Sequence, residues 1–262
     1  MSGTCDYHTI TETPQQLASE EQIARLYHRY RFARSFIKSG NILEAACGSG
    51  MGLGFLAGES CFVIGGDIDR KNAVQAFSIN DDPSVCIEIL DCHDLPFKDQ
   101  TFDFVLLFEA IYYLHTPGRF IQESERVLKG SGVLIIGSVN KDWSDFHASP
   151  YAQKYFAVPE LRTLLWPTFP SVDMYGAFPT AKNGNMALLL SFLKRAASRL
   201  DLIPGSLSAR AFLKRLVFGQ LRPLPDRISE NMTPYESPAV IPSDQPNRDF
   251  KIIYAVAKKK YQ

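Results

Sequence analysis

The stretch that decides the fold is Ile42-Leu43-Glu44-Ala45-Ala46-Cys47-Gly48-Ser49-Gly50. A short apolar run, Asn41–Ala46, breaks into a glycine-rich turn, and helical character resumes through Phe55–Ala57. Glycines at a strand-to-helix turn permit unusual dihedrals and let a ligand approach the backbone. An ordinary tight turn would have the same composition, so the order of features farther along the chain must decide between the two readings. Downstream, Cys61–Gly66 ends at Asp67, Val85–Leu90 ends at Asp91, and Phe102–Phe108 ends at Glu109. Four successive strand ends thus carry polar groups, on the edge where open α/β sheets bind ligands.

Working outward, helices are expected over Glu20–Ser39, about Lys71 to Phe77, Gly118–Leu128 and Val158–Leu165. Further strands are expected at Val133–Gly137, Val172–Phe178 and Phe250–Ala257. Continuous apolar strands alternating with helices indicate a mostly parallel sheet covered on both faces, a doubly wound α/β fold. Residues 182–247 interrupt that alternation before the last strand. Their first part reads as two helices broken at Ile203-Pro204-Gly205, and their second part as a proline-rich excursion without periodicity. The expectation is one domain over 1–262, with 182–247 as an insertion. No internal repeat is visible.

Composition sets outer limits. The 262 residues are 45% hydrophobic, enough to bury a two-sided sheet, and Lys+Arg and Asp+Glu both total 28. A zero net charge argues against broad, sequence-independent nucleic-acid binding, which needs a positive excess. Five cysteines, an odd number without a CxxC, read as free thiols of a reducing compartment, with Cys61 and Cys86 expected to be buried in strands. Cys92 beside His93 lacks partners at zinc spacing, so no metal site is expected. The N-terminus has no secretory pattern and no apolar run approaches the length of a bilayer span, which implies a cytoplasmic protein, at most peripheral to a membrane.

The segments ILEAACGSG, VIGGDID, DCHDLPFKDQTFDFVLLFEAIYYL and RVLKGSGVLII, over Ile42–Gly137, together resemble the class I S-adenosylmethionine-dependent methyltransferases. The helix LYHRYRFARSFI is similar to the segment preceding the first strand in methyltransferases of polysaccharide biosynthesis. The resemblance implies a Rossmann-like, seven-stranded sheet and S-adenosylmethionine as cofactor. It implies that Glu44 orients the glycine loop and the methionine ammonium, with Ala46, Gly48, Ser49 and Gly50 beneath the methionine portion. Asp67 takes the role of the ribose acid, with Ile68 on adenine and Asp91 with Cys92 beside the adenine amino group. Phe108 and Glu109 flank the methionine end, and Tyr30 either closes over it or packs in the core. A rival dinucleotide fingerprint, GxGxxA at Gly52–Ala57, starts too far past the strand for NAD.

Methyl transfer to oxygen needs a base, whereas a neutral amine does not. Candidates are Tyr112, Tyr113, His115, Asp142 and His147, with Tyr113 and His147 preferred. From Lys182 to Glu230 nine basic residues face only three acids, which suggests a lid, with Arg195, Arg199, Lys214 and Arg215, over an anionic glycan, nucleotide-sugar or lipid-linked acceptor. A cofactor-binding protein without transferase activity is the alternative.

Overall fold

The computed structural model describes residues 7–58, 61–180 and 221–259. Eight strands form the main sheet: β1 (Gly40–Ala45), β2 (Cys61–Asp67), β3 (Val85–Ile89), β4 (Phe102–Phe108), β5 (Leu128–Val139), β6 (Ser171–Pro179), β7 (Ala239–Ile241) and β8 (Phe250–Lys258). Their order is β3-β2-β1-β4-β5-β8-β6-β7. The first five run parallel, and β8 is antiparallel to both β5 and β6. The chain starts in the middle at β1, winds outward to β3, then returns to β4. Beside β1 the connections therefore diverge, and the loops after β1 and β4 part to leave a crevice. Ligands bind at such a point in open α/β sheets.

Successive residues of the central strands face opposite sides, and both sides are apolar. Ile42 and Leu106 pack on one face with Leu26 and Tyr27 of α1 (Glu20–Arg34) and Leu53 and Leu56 of α2 (Leu53–Leu56). Leu43, Val105 and Leu107 pack on the other with Phe120 and Ile121 of α4 (Pro117–Val127) and Leu161 and Leu165 of α5 (Val158–Leu165). All of these side chains are buried. At about 25 cal/mol per Å² of apolar surface removed from water, this two-sided burial dominates the stability. The remaining helix, α3 (Arg70–Ile79), begins on Asp69, whose carboxylate accepts from the Lys71 N–H as a cap.

Helix α1 stops earlier than the apolar stripe suggested. Its start is fixed by a capping box in which Ser19 and Gln22 satisfy each other's backbone N–H groups. Two expectations are corrected. The sheet has eight strands rather than seven, because Ala239–Ile241 of the proline-rich stretch pairs with β6. Pro238 and Pro242 bracket it, as befits an edge where a missing N–H faces no partner strand. Cys86 is exposed, not buried, since β3 is the opposite edge; Cys47, Cys61 and Cys92 are buried. The expected helical pair with Arg195, Arg199, Lys214 and Arg215 lies outside the described residues. The described remainder, 221–247, packs through Leu224 and Ile228 on the α1–α2 side.

Candidate cofactor and acceptor cavity

A cavity of about 1090 Å³ opens at the carboxyl ends of β1, β2 and β4. Its floor is the loop after β1, which turns through left-handed backbone at Ala46 (φ 54°), Gly48 (φ 58°) and Gly50 (φ 73°). Glycine at 48 serves a second need. A Cβ there would lie 2.8 Å from Thr11 Cγ2, so the N-terminal segment can cross the loop only over a bare backbone. Ala46 has no such freedom. Its left-handed conformation, like that of Glu109 (φ 52°), is strained by roughly 1–3 kcal/mol. Both residues line the cavity.

Two buried carboxylates shape the floor. Glu44 is 2% exposed; its Oε1 accepts the Tyr30 hydroxyl at 2.6 Å, and its Oε2 is buried without a partner among the described residues. Burial pushes its pKa up to about 7, against the pull of Tyr30 and the Arg29 guanidinium. Asp67 accepts the Gly48 N–H at 2.9 Å on Oδ2, and the Asp69 N–H at 2.9 Å and Asn72 Nδ2 at 3.3 Å on Oδ1. Burial raises its pKa as well, opposed by those three donors. Asp67 thus ties β2 to the glycine loop.

Every cofactor-side residue named from the sequence except Gly50 lines this cavity: Glu44, Ala46, Gly48, Ser49, Asp67 and Ile68, then Asp91, Cys92, Phe108, Glu109 and Tyr30. Gly50 instead abuts α3, where a Cβ would meet Ala76 Cβ at 2.6 Å. Ile68 is a half-exposed apolar side chain on the cavity wall. Asp91 is held by His93, whose N–H and Nδ1 approach its Oδ1 at 2.8 and 2.6 Å. Tyr30 combines the two roles left open for it. Its ring is buried against Phe108 at 5.4 Å between centroids, and its hydroxyl reaches Glu44. Gly52, the first glycine of the rival fingerprint, serves Tyr30 rather than a dinucleotide, because a Cβ there would sit 2.0 Å from Tyr30 Cζ.

Among the base candidates, Tyr112, Tyr113 and His115 line the cavity. His147 is exposed and Asp142 half-buried, and neither belongs to the cavity wall, although Tyr151 and Gln153 farther along the same loop do. Burial raises the Tyr113 hydroxyl above its ordinary pKa. Glu109, named for the cofactor end, has a carboxylate that accepts the Tyr112 hydroxyl at 2.9 Å, and its backbone N–H is tied to Gly137 O at 2.9 Å. Burial raises its pKa, opposed by Arg29 and the Tyr112 bond.

Sequence reading missed two parts of the wall. One is the N-terminal segment. Ser49 Oγ donates to Glu12 O at 2.7 Å, Asn72 Nδ2 donates to Thr11 Oγ1 at 3.0 Å, and His8 N donates to Asp69 Oδ2 at 3.0 Å. The other is the pair Arg25 and Arg29 on α1. Their four-residue spacing was visible, but nothing in the sequence showed that this polar side of the helix faces a cavity.

The buried, half-partnered carboxylate at 44, the acid at the end of β2 and the strained glycine loop suit a ligand that combines a cationic amine with a ribose. Residues 43–136 match the methyltransferase domain family. That stretch carries a methyltransferase domain.

Among proteins similar to this chain, a probable S-adenosylmethionine-dependent methyltransferase of Mycobacterium tuberculosis is 32% identical over 143 residues, 53% of this chain and 52% of its own. An uncharacterized Methanocaldococcus jannaschii protein is 34% identical over 105 residues, 40% of this chain and 48% of its own. The chain therefore spans about half the length of these curated relatives. In fold it is similar to an S-adenosylmethionine-dependent methyltransferase from Thermotoga maritima, with a TM-score of 0.57 at 17% identity, covering 91% of this chain and 92% of that one. It is similar also to Haemonchus contortus phosphoethanolamine N-methyltransferase 2 in complex with S-adenosyl-L-methionine, with a TM-score of 0.54 at 14% identity, covering 93% and 54%.

Proposed function

We propose that the chain transfers a methyl group from S-adenosylmethionine to the oxygen of a small-molecule, glycan, nucleotide-sugar or lipid-linked acceptor. The observation that carries the cofactor half is Glu44 Oε2, a buried carboxylate oxygen with no partner among the described residues, on the wall of the cavity. A buried charge needs a counter-charge, and an ammonium supplies one. S-adenosylmethionine supplies an electrophilic methyl group carried on sulfur.

The chain's own residues then have separate tasks. Glu44 holds the ammonium, Asp67 accepts the ribose hydroxyls, and Ile68 covers one face of the adenine. Asp91, fixed by His93, would accept from the adenine amino group. Holding an acceptor atom at about 3–3.5 Å in line with the methyl group is most of the catalytic task. For a hydroxyl acceptor the proton must also leave. Glu109 suits that role better than Tyr113 or His147. Burial raises its pKa, which makes the carboxylate a stronger base, whereas a tyrosine raised above its ordinary value holds its proton. Tyr112 orients the Glu109 carboxylate. Support for an oxygen acceptor is this carboxylate beside the methionine end.

No described helix is long and apolar enough to cross a membrane. Contact with a membrane surface, if the acceptor is lipid-linked, would rest on the basic stretch from Lys182 to Glu230, most of which lies outside the described residues. Incubating the full chain with methyl-labelled S-adenosylmethionine and fractionated cell extracts tests the proposal. A labelled product, lost in Glu109→Gln, supports it. Tight cofactor binding with no labelled product in any fraction would favour a binding protein without transferase activity.

A further inference from the structure

We propose that Arg25 and Arg29 form an oxyanion-binding subsite for the acceptor, taking a carboxylate or phosphate group of the molecule to be methylated. The inference rests on the reading that the β1–β3 side of the cavity holds the cofactor, and it adds the acceptor's charge.

The two arginines stand one turn apart on α1 and both line the cavity. Each guanidinium is clamped in place. Arg25 lies over the rings of Trp143 at 5.5 Å and Phe178 at 5.7 Å, and its Nη2 bonds Glu21 Oε1 at 2.5 Å. Arg29 lies over the Tyr30 ring at 5.4 Å, and its Nη2 bonds Glu12 Oε2 at 2.7 Å. In both, Nε is buried and has no hydrogen-bond partner among the described residues. A buried donor without an acceptor is destabilising, and native structures rarely leave two side by side. The edge bearing Nε–H is one that guanidinium offers to carboxylates and phosphates. The protein has stacked and ion-paired both groups, yet left the Nε–H of each unanswered in the wall of a ligand cavity.

The position separates acceptor from cofactor. Glu44, Asp67, Ile68 and Asp91 sit at the ends of β1, β2 and β3. Arg29 adjoins Tyr30, next to the methionine end, and Arg25 lies a turn farther along α1 against Trp143, in the loop after β5. An anion bridging the two Nε–H groups would lie beyond the methionine end, on the side of Glu109.

The test uses the full chain saturated with S-adenosylhomocysteine. Inorganic phosphate and, separately, succinate are titrated while the arginine Nε–H signals are followed by NMR, assigned from Arg25→Lys and Arg29→Lys. The expected result is a saturable shift of both signals together. Each lysine variant should bind the anion at least fivefold more weakly and S-adenosylhomocysteine within twofold of the unaltered chain. If neither anion moves either signal, the proposal is wrong. It is also wrong if S-adenosylhomocysteine alone shifts both signals, 5′-methylthioadenosine does not, and added anion has no further effect. The pair would then hold the cofactor's own carboxylate. If S-adenosylhomocysteine fails to bind, the cofactor reading falls instead, and the anion titration of the free protein still decides the subsite.

Discussion

Replacing Tyr30 with Phe removes one oxygen from the protein and isolates the contact on which the floor of the cavity depends. The ring stays, so packing against Phe108 and over Gly52 is kept. The change removes the 2.6 Å hydrogen bond to Glu44 Oε1, which leaves a buried carboxylate whose other oxygen already has no partner among the described residues. A hydrogen bond to a charged group contributes about 1.5–3 kcal/mol. Because burial lifts the Glu44 pKa from 4.5 to about 7, that loss depends on pH. Above pH 7 Glu44 is ionised and the full loss applies. Below it the carboxyl is neutral and cheaper to leave unpaired. At about 2–4 °C per kcal/mol for a chain of this size, Tyr30→Phe should lower the melting temperature by about 3–12 °C at pH 8. At pH 5.5 the decrease should be less than half as large. Thermal unfolding of both proteins at the two pH values measures this. Equal decreases at both, or none at pH 8, would refute the role given to the Tyr30–Glu44 pair.

Other expectations concern the same site. A carboxyl raised from 4.5 to about 7 in the fold binds more protons folded than unfolded between those values. Glu44 therefore subtracts about 3 kcal/mol from stability as pH rises through that window, and an ammonium ligand offsets the loss. S-adenosylhomocysteine should accordingly bind more weakly below pH 7, by up to about tenfold per unit, and a flat calorimetric pH profile would argue against an ionised Glu44 in the complex. Asp67→Ala should weaken the same ligand by about 1.5–3 kcal/mol. It should also lower the melting temperature, since the Gly48 and Asp69 N–H groups lose their acceptor; an unchanged dissociation constant would remove Asp67 from the ribose site. Ala46→Gly relieves a left-handed alanine and should raise unfolding free energy by up to about 1 kcal/mol in urea titration.

Much of the fold was legible because strands buried on both faces read as continuous apolar runs, as the parallel β1, β2 and β4 and the antiparallel β8 do. The ends of β1, β2 and β4 carry Glu44, Asp67 and Glu109, so this wall of the cavity followed from order and spacing, while the roles of its residues toward a cofactor came from the resemblance alone. The edge strand Ala239–Ile241 was not legible. It is three residues long, bracketed by prolines, and its Val240 is exposed, so it shows no burial period. His147 looked well placed because it follows β5 closely, but sequence distance from a strand end does not fix the path of a polar loop. The crossing of the glycine loop by the N-terminal segment was equally hidden. It rests on hydrogen bonds from Ser49 to Glu12 and from Asn72 to Thr11, pairs too distant in the chain to leave a periodic trace. The share of Asp67 in holding the loop, through its bonds to Gly48 and Asp69, left no mark in the sequence either.

Binding of S-adenosylmethionine in this cavity through Glu44 and Asp67 is tested most directly by calorimetric titration of the full chain with S-adenosylhomocysteine, repeated on Glu44→Gln and with NAD. The expected result is one saturable site for S-adenosylhomocysteine, weakened at least tenfold by Glu44→Gln, and no heat of binding from NAD. Saturable binding of NAD, with none of either S-adenosylhomocysteine or S-adenosylmethionine, would contradict it.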